Sequence, residues 1–292
     1  MNANSRNKRA FIGIVPLPAR PSALSNSPFH VCLTLDLEPD HAGRVVPEYE
    51  AWRPERVNAL LDTLAEYDAS LSAFVVGQSM VEKPQVVASM RDRGVEFHLH
   101  SYSHDLARAD AGEEIDRGSE AFSRFFGSSP TGYRAPEGRI TAAGAERLRE
   151  RGFAFDSSVF PSIWPHPRYA TMSRTPFRWP SGLLEIPVAT ATAFRLPVTL
   201  SFMKLLGWPL YSRVLGRRST PNPLVFDLHL HDLFVLPAFG TLPGFLKVAY
   251  SRNRTRGFEF LRAFLGWTRN QGARFVRMSD AAQTLETTVP RC

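Results

Sequence analysis

The stretch Phe97-His98-Leu99-His100-Ser101-Tyr102-Ser103-His104-Asp105 sets three histidines within seven residues. His100 and His104 stand four apart, with Ser101 between them. Side chains at i and i+4 share one face of a helical turn, so both imidazoles can reach a single metal ion. The residues just before, Gly94-Val95-Glu96-Phe97, read as a short strand after a helix. The histidines therefore fall where a strand gives way to a loop, a place where α/β folds keep their chemistry.

Working outward, strand and helix patterns alternate on both sides of this stretch. His30-Val31-Cys32-Leu33-Thr34-Leu35 is a near-continuous apolar strand, as expected when both faces of a sheet are covered. Val57, Leu60, Leu61 and Leu64 form one stripe of a helix over 56–67, with Pro54 near its start. Strands are expected at 72–76, 95–97, 131–134 and 153–156. Helices are expected at 84–93, closed by Gly94, at 113–126, and at 141–151, capped by Thr141 and closed by Gly152. Prolines 161, 165, 167, 176 and 180 make the next segment a loop. Strands at 183–188, 224–230 and 274–277, a helix at 258–268 and a last short helix capped by Ser279 complete the series. Repeated strand–helix units predict an α/β fold with a parallel sheet, open or closed into a barrel.

Composition narrows the class. A chain of 292 residues can bury one large core. Its formal charge is +7, with arginine far outnumbering lysine. This balance permits anionic partners, such as a phosphate-bearing substrate or an anionic membrane surface. No basic run with interleaved aromatics suggests nucleic acid. Cys32 and Cys292 are expected as free thiols, not as a disulfide framework. Residues 1–28 read as a disordered or loosely attached tail, and 29–292 as one domain. The tail's apolar run, residues 11–15, stops at Pro16. That is too short for a signal-peptide core, and no later run reaches membrane-spanning length. A cytoplasmic location is the expectation.

The expected strand ends carry the reactive side chains. The first ends in Asp36-Leu37-Glu38, and alternation turns both carboxylates to one side, as hard ligand and general base. Next comes Tyr133-Arg134-Ala135-Pro136-Glu137-Gly138, where an arginine can hold a carboxylate ionised through paired hydrogen bonds. Asp156-Ser157-Ser158-Val159-Phe160-Pro161 ends another strand. Phe226-Asp227-Leu228-His229-Leu230-His231-Asp232 ends a late one.

In this order, the acid pair, His100-Ser-x-x-His104, Arg134-x-Pro-x-Gly138, Asp156-Ser-Ser and Leu-His resemble the polysaccharide deacetylase family. This is carbohydrate esterase family 4, with its NodB-homology domain, in the branch whose first motif is Asp-x-Glu. The resemblance spans residues 29 to about 280. It implies a distorted (β/α)7 barrel with its site at the C-terminal ends of the strands. It implies one divalent metal ion, zinc by preference, bound by Glu38, His100 and His104. Asp36 is implied as general base, fixed by Arg134. His229 is implied as general acid, with Asp156 as its orienting group. The implied chemistry is amide hydrolysis, with water attacking an N-acyl carbonyl and the histidine protonating the leaving amine.

Departures from the family pattern fall on the substrate side. Glu137 stands where the family has an aromatic, so it joins Tyr133 and His231 as expected substrate-binding residues. His98 replaces a usual glycine and is expected to support the site or wall the pocket. His231 competes with His229 for the acid's role, and the strand pattern favours His229.

The expected substrate is an N-acetyl or N-formyl amino sugar or glycoconjugate. The apolar segment 194–215, within an insertion at about 190–222, bears on whether that substrate is lipid-linked. With Arg195, Lys204, Arg213, Arg217 and Arg218 interleaved, it is either a core-packing helix pair or a surface lying on a membrane. A hydrolase of a small non-sugar amide or cyclic imide, and an inactive carbohydrate-binding relative, remain as alternatives.

Overall fold

The computed structural model describes residues 28–39, 49–164, 167–216, 219–237, 240, 242 and 244–290. The expected tail, apart from Pro28, and Arg217, Arg218 and Cys292 lie outside the described residues.

The strands are β1 His30–Leu37, β2 Leu71–Val75, β3 Glu96–Leu99, β4 Gly132–Tyr133, β5 Phe155–Asp156, β6 Phe177–Arg178, β7 Leu184–Glu185, β8 Thr190–Ala191, β9 Leu196–Pro197, β10 Leu224–His229 and β11 Arg274–Phe275. The helices are α1 Pro54–Ala65, α2 Gly77–Glu82, α3 Pro84–Asp92, α4 Gly112–Phe126, α5 Ala142–Glu150, α6 Leu200–Leu206, α7 Trp208–Val214, α8 Leu230–Leu233, α9 Gly244–Ser251, α10 Gly257–Asn270 and α11 Met278–Thr288.

Seven strands run parallel in the order β10-β1-β2-β3-β4-β5-β7, with β6 antiparallel at the β7 edge. The sheet curls until the chain just past β7 meets β10, where the Ala189 N–H donates to the Val225 carbonyl at 2.9 Å. This is the expected distorted (β/α)7 barrel. Strands β4 and β5 are shorter than their patterns predict. The ladder nonetheless continues one residue further as Arg134 N–H to Leu99 O (3.0 Å) and Ser157 N–H to Tyr133 O (2.9 Å).

Alternation fills the barrel with a gradient of polarity. Along β1 the inward series is Cys32, Thr34, Asp36; along β10 it is Val225, Asp227, His229; along β3 it is Glu96, His98, His100. At the N-terminal end Cys32, Phe74, Phe155 and Val225 pack against Met278, Ala281 and Ala282 of α11, which plugs the barrel. Ser279 does not cap α11; its N–H points to Glu96 at 3.4 Å. The larger core lies outside the barrel, between the sheet and α1, α3 and α10. Thr141 caps α5 as expected, accepting from Gly144 N–H at 3.0 Å.

The insertion contains the β8–β9 hairpin and helices α6 and α7. Leu200, Met203, Tyr211 and Leu215 are buried, while Phe194, Leu206 and Leu210 are exposed. One face of the segment is core and the other is open.

Candidate active site

The polar end of the barrel gathers side chains from four strands. Arg134, just past β4, is buried and reaches across the barrel. Its Nη1 donates to Asp36 Oδ1 (2.7 Å), Asp227 Oδ1 (2.6 Å) and Thr34 Oγ1 (3.0 Å). Its Nε and Nη2 hold the Ser157 carbonyl (2.9 Å) and hydroxyl (3.1 Å). The guanidinium lies 4.1 Å over the Phe74 ring. Burial alone would weaken the arginine's charge, but the two carboxylates raise its pKa further.

Parallel pairing sets Asp36 beside His229 and Thr34 beside Asp227. His229 Nε2 lies 3.9 Å from Asp36 Oδ2 and 3.7 Å from Glu38 Oε1. On its other side, Nδ1 is 3.5 Å from Asp232 Oδ2, and that oxygen also accepts the His229 N–H at 3.1 Å. Burial opposes the imidazolium. Asp232, Glu38, Asp227 and Asp36 outweigh it and push the His229 pKa well above the ordinary histidine value. Asp227 is squeezed the other way: burial, then the Asp36 charge, push it up to about 7 against the pull of Arg134.

The expected metal ligands converge. Glu38 Oε2 lies 2.7 Å from His104 Nε2 and 3.4 Å from His100 Nε2. One ligand atom from each residue falls within 4.8 Å of the others. His100 Nδ1 contacts the Arg134 carbonyl at 2.7 Å, which sets its tautomer and leaves Nε2 buried without a hydrogen-bond partner. A carboxylate and two imidazoles, one with an orphaned buried nitrogen, are the donor set a divalent cation takes. The residues fit the ion that the resemblance implies. Burial would raise the Glu38 pKa, but the two histidines and His229 hold it well below the usual carboxylate range.

His100 and His104 do not share a helical turn. Ser101 and His104 adopt left-handed backbone, with φ of 59° and 61°. Glu114 of α4 pins this loop, accepting from Tyr102 N–H (3.2 Å), Ser103 N–H (2.8 Å) and Ser103 Oγ (3.0 Å). A loop with two left-handed residues, not i,i+4 geometry, brings the rings to a centroid distance of 5.2 Å.

Three sequence expectations are corrected here. Asp156 does not orient His229; it faces Glu185 across β5 and β7 and accepts from Ser158 Oγ at 2.5 Å. Asp232 takes that place. Tyr133 is fully buried with its ring against Phe153 and its hydroxyl on the Ala109 carbonyl, because alternation turns it outward when Arg134 turns inward. Lys204 does not flank an open face; it is 2% exposed, with Nζ 3.9 Å from Asp232 Oδ1. Burial lowers its pKa and Asp232 raises it, with a net lowering. His98 lies inside the barrel between Phe74 and Phe155, at 2.9 Å from Glu96, below the site. Glu137 sits in a turn, held by Arg139 Nε and Nη2 at 3.0 and 2.8 Å. The His231 ring stacks on His229 at 4.5 Å.

Residues 25–155 match the polysaccharide deacetylase family model. Over that span, a little under half of the chain, the sequence carries that family's pattern. The match ends before β7 and β10, so Asp227, His229 and Asp232 stand outside it. The chain is similar to the peptidoglycan-N-acetylglucosamine deacetylase PgdA of Listeria monocytogenes, 27% identical over 150 residues, which are 50% of this chain and 29% of that one. The matched stretch thus spans less than a third of that curated relative. Two solved structures share the fold over nearly the whole chain. One is a Mycobacterium smegmatis protein carrying the polysaccharide deacetylase designation (19% identity, TM-score 0.61, 94% and 97% of the two chains). The other is the Puue allantoinase (18%, TM-score 0.59, 94% and 100%).

Proposed function

We propose that this deacetylase-family chain is a metal-dependent hydrolase that removes an acetyl or formyl group from the nitrogen of an amino sugar in a glycoconjugate. The observation that carries the reading is the Glu38–His100–His104 cluster beside an acid, Asp36, paired with Arg134, and an imidazole, His229, set among carboxylates. A divalent ion bound by the cluster supplies Lewis acidity toward the acyl carbonyl and the attacking water. Asp36, oriented by Arg134, takes the proton of that water at Oδ2. His229, held by Asp232, gives a proton from Nε2 to the departing nitrogen, which leaves poorly without one. A C–O bond forms, the C–N bond breaks, and a carboxylic acid and an amine result. Zinc is the ion we expect, since one carboxylate and two imidazoles suit it.

We extend the substrate to lipid-linked forms, because Trp164 and Phe194 are exposed on loops beyond the strand ends that hold the site. A mass-shift screen of N-acetyl and N-formyl amino sugars, free, in peptidoglycan fragments and lipid-linked, tests the reading. The expected result is loss of one acyl mass from at least one sugar, abolished by chelation. Turnover of non-sugar amides only would make the chain a different C–N hydrolase. No turnover with metal bound would make it a binding protein.

A further inference from the structure

Charge is divided unevenly along this chain. Residues 157–258 hold twelve Lys and Arg but three Asp and Glu, namely Glu185, Asp227 and Asp232. All three acids are buried. The surface built by these 102 residues therefore shows no carboxylate among the described residues, whereas the rest of the chain balances 23 basic against 25 acidic residues. Apolar exposure follows the same division. Of eight large apolar side chains left exposed among the described residues, seven fall in this segment.

These features share one surface. Phe194, 83% exposed, tips the β8–β9 hairpin, and its neighbour Arg195 ties that tip to the Pro161 and Met172 carbonyls at 3.2 and 2.8 Å. Trp164, on the same loop, sets its ring 5.4 Å from Phe202 of α6. Helix α6, which exposes Leu206, packs on α7 and α9, which expose Leu210 and Val248. Asn253 Nδ2 donates to the Lys204 carbonyl at 2.7 Å, which brings exposed Arg252 and Arg254 beside the end of α6. Exposed Arg213 and Lys247 lie on α7 and α9.

We infer that this face docks on a bilayer bearing anionic headgroups, with Trp164, Phe194, Leu206 and Leu210 entering the interface and the arginines meeting the lipid charge. A polyanion such as nucleic acid would be met by the charge alone and leaves the exposed apolar side chains unexplained. Interfacial binding uses both, apolar burial and attraction to anionic lipid. No helix among the described residues is long and apolar enough to cross a membrane, so the contact is with one leaflet. The contact stands without the deacetylase reading, and vesicle binding tests it without a substrate.

The purified full chain is cosedimented with phosphatidylcholine vesicles, alone and mixed with phosphatidylglycerol. Binding is expected to the mixed vesicles and to weaken with salt. Arg252→Gln and Arg254→Gln should each weaken it about fivefold, the effect of one cation near an anionic surface. Phe194→Ser should weaken it about tenfold or more, the effect of withdrawing one large apolar side chain. Melting temperatures of the variants are measured alongside and should match the parent. Absence of wild-type binding at low salt overturns the inference. So does binding to heparin as tight as to vesicles with no loss in Phe194→Ser, which would make the face a polyanion site.

Discussion

Asp36 and Glu38 are two residues apart and face the same cavity, yet their partners divide their roles. Asp36 is gripped by Arg134 at 2.7 Å, whereas Glu38 meets two imidazoles. Asp36→Asn should keep the metal and cut turnover roughly 10²-fold or more, the range for a lost general base. Metal content and turnover measured together check it, and metal loss in Asp36→Asn with retention in Glu38→Gln would swap the two roles. The same logic separates the paired rings. His229 touches Asp36, Glu38 and Asp232, while His231 stacks behind it from α8 and meets the Tyr250 ring. His229→Ala should slow hydrolysis strongly with metal retained, and His231→Ala mildly; the reverse order would reassign the acid. Most of these residues were legible in the sequence because they end strands at motif spacing. Asp227 and Asp232 were quoted with their strand, but Asp227 was given no role. Its signal was there: it lies two residues before His229, on the same strand face. Asp156 misled because an acid beside a serine pair reads alike whether it serves the site or a buried carboxyl pair.

At the scale of elements, the metal-ligand loop depends on a helix it does not belong to. Glu114 in the first turn of α4 takes three hydrogen bonds from residues 102 and 103, and Gly118 one turn on lets α4 approach. A Cβ at Gly118 would stand 2.9 Å from Leu99 and 3.1 Å from the Ser101 carbonyl oxygen. Glu114→Ala should therefore release the loop without removing a ligand. Metal affinity is expected to drop about 10- to 100-fold, as for loss of groups that orient metal ligands. Titration with a competing chelator measures it, and an unchanged affinity would show that the loop holds itself. The sequence pattern located α1, α3, α4, α5 and α10 within a few residues, since each carries a periodic apolar face. It gave no warning of α2 or α8, whose short turns of six and four residues are set by tertiary contacts. It also argued the convergence of His100 and His104 from i,i+4 spacing, because spacing of four residues cannot distinguish a turn of helix from a left-handed loop.

For the whole molecule, the barrel's strand order follows from alternating patterns, but its closure does not. Beyond β7 the wall closes through the Ala189 N–H to Val225 carbonyl bond and a parallel bridge of Thr199 to Asp227, and no periodicity marks it. Beside this seam lie Asp156 and Glu185, both fully buried. Val159 N–H and Trp179 Nε1 donate to Glu185 at 2.9 and 3.0 Å. Burial raises the pKa of both, and for Glu185 the Asp156 charge raises it further, well above the carboxylate range. The pair therefore keeps a proton that the unfolded chain releases near pH 4. The folded state then binds more protons than the unfolded one, and stability falls as pH rises from about 4 through the pair's raised values. Asp156→Asn replaces the shared proton with an amide N–H that can donate to Glu185, so ionisation of Glu185 no longer leaves two facing charges. Its melting temperature should decline less with rising pH than that of the parent across this window. Glu96, held at about 2 by its histidine and serine partners against burial, acts oppositely, and its contribution is lost only as pH falls below about 4. Melting curves from pH 4 to 9 for both proteins decide it, and parallel slopes would show that the pair carries no extra proton.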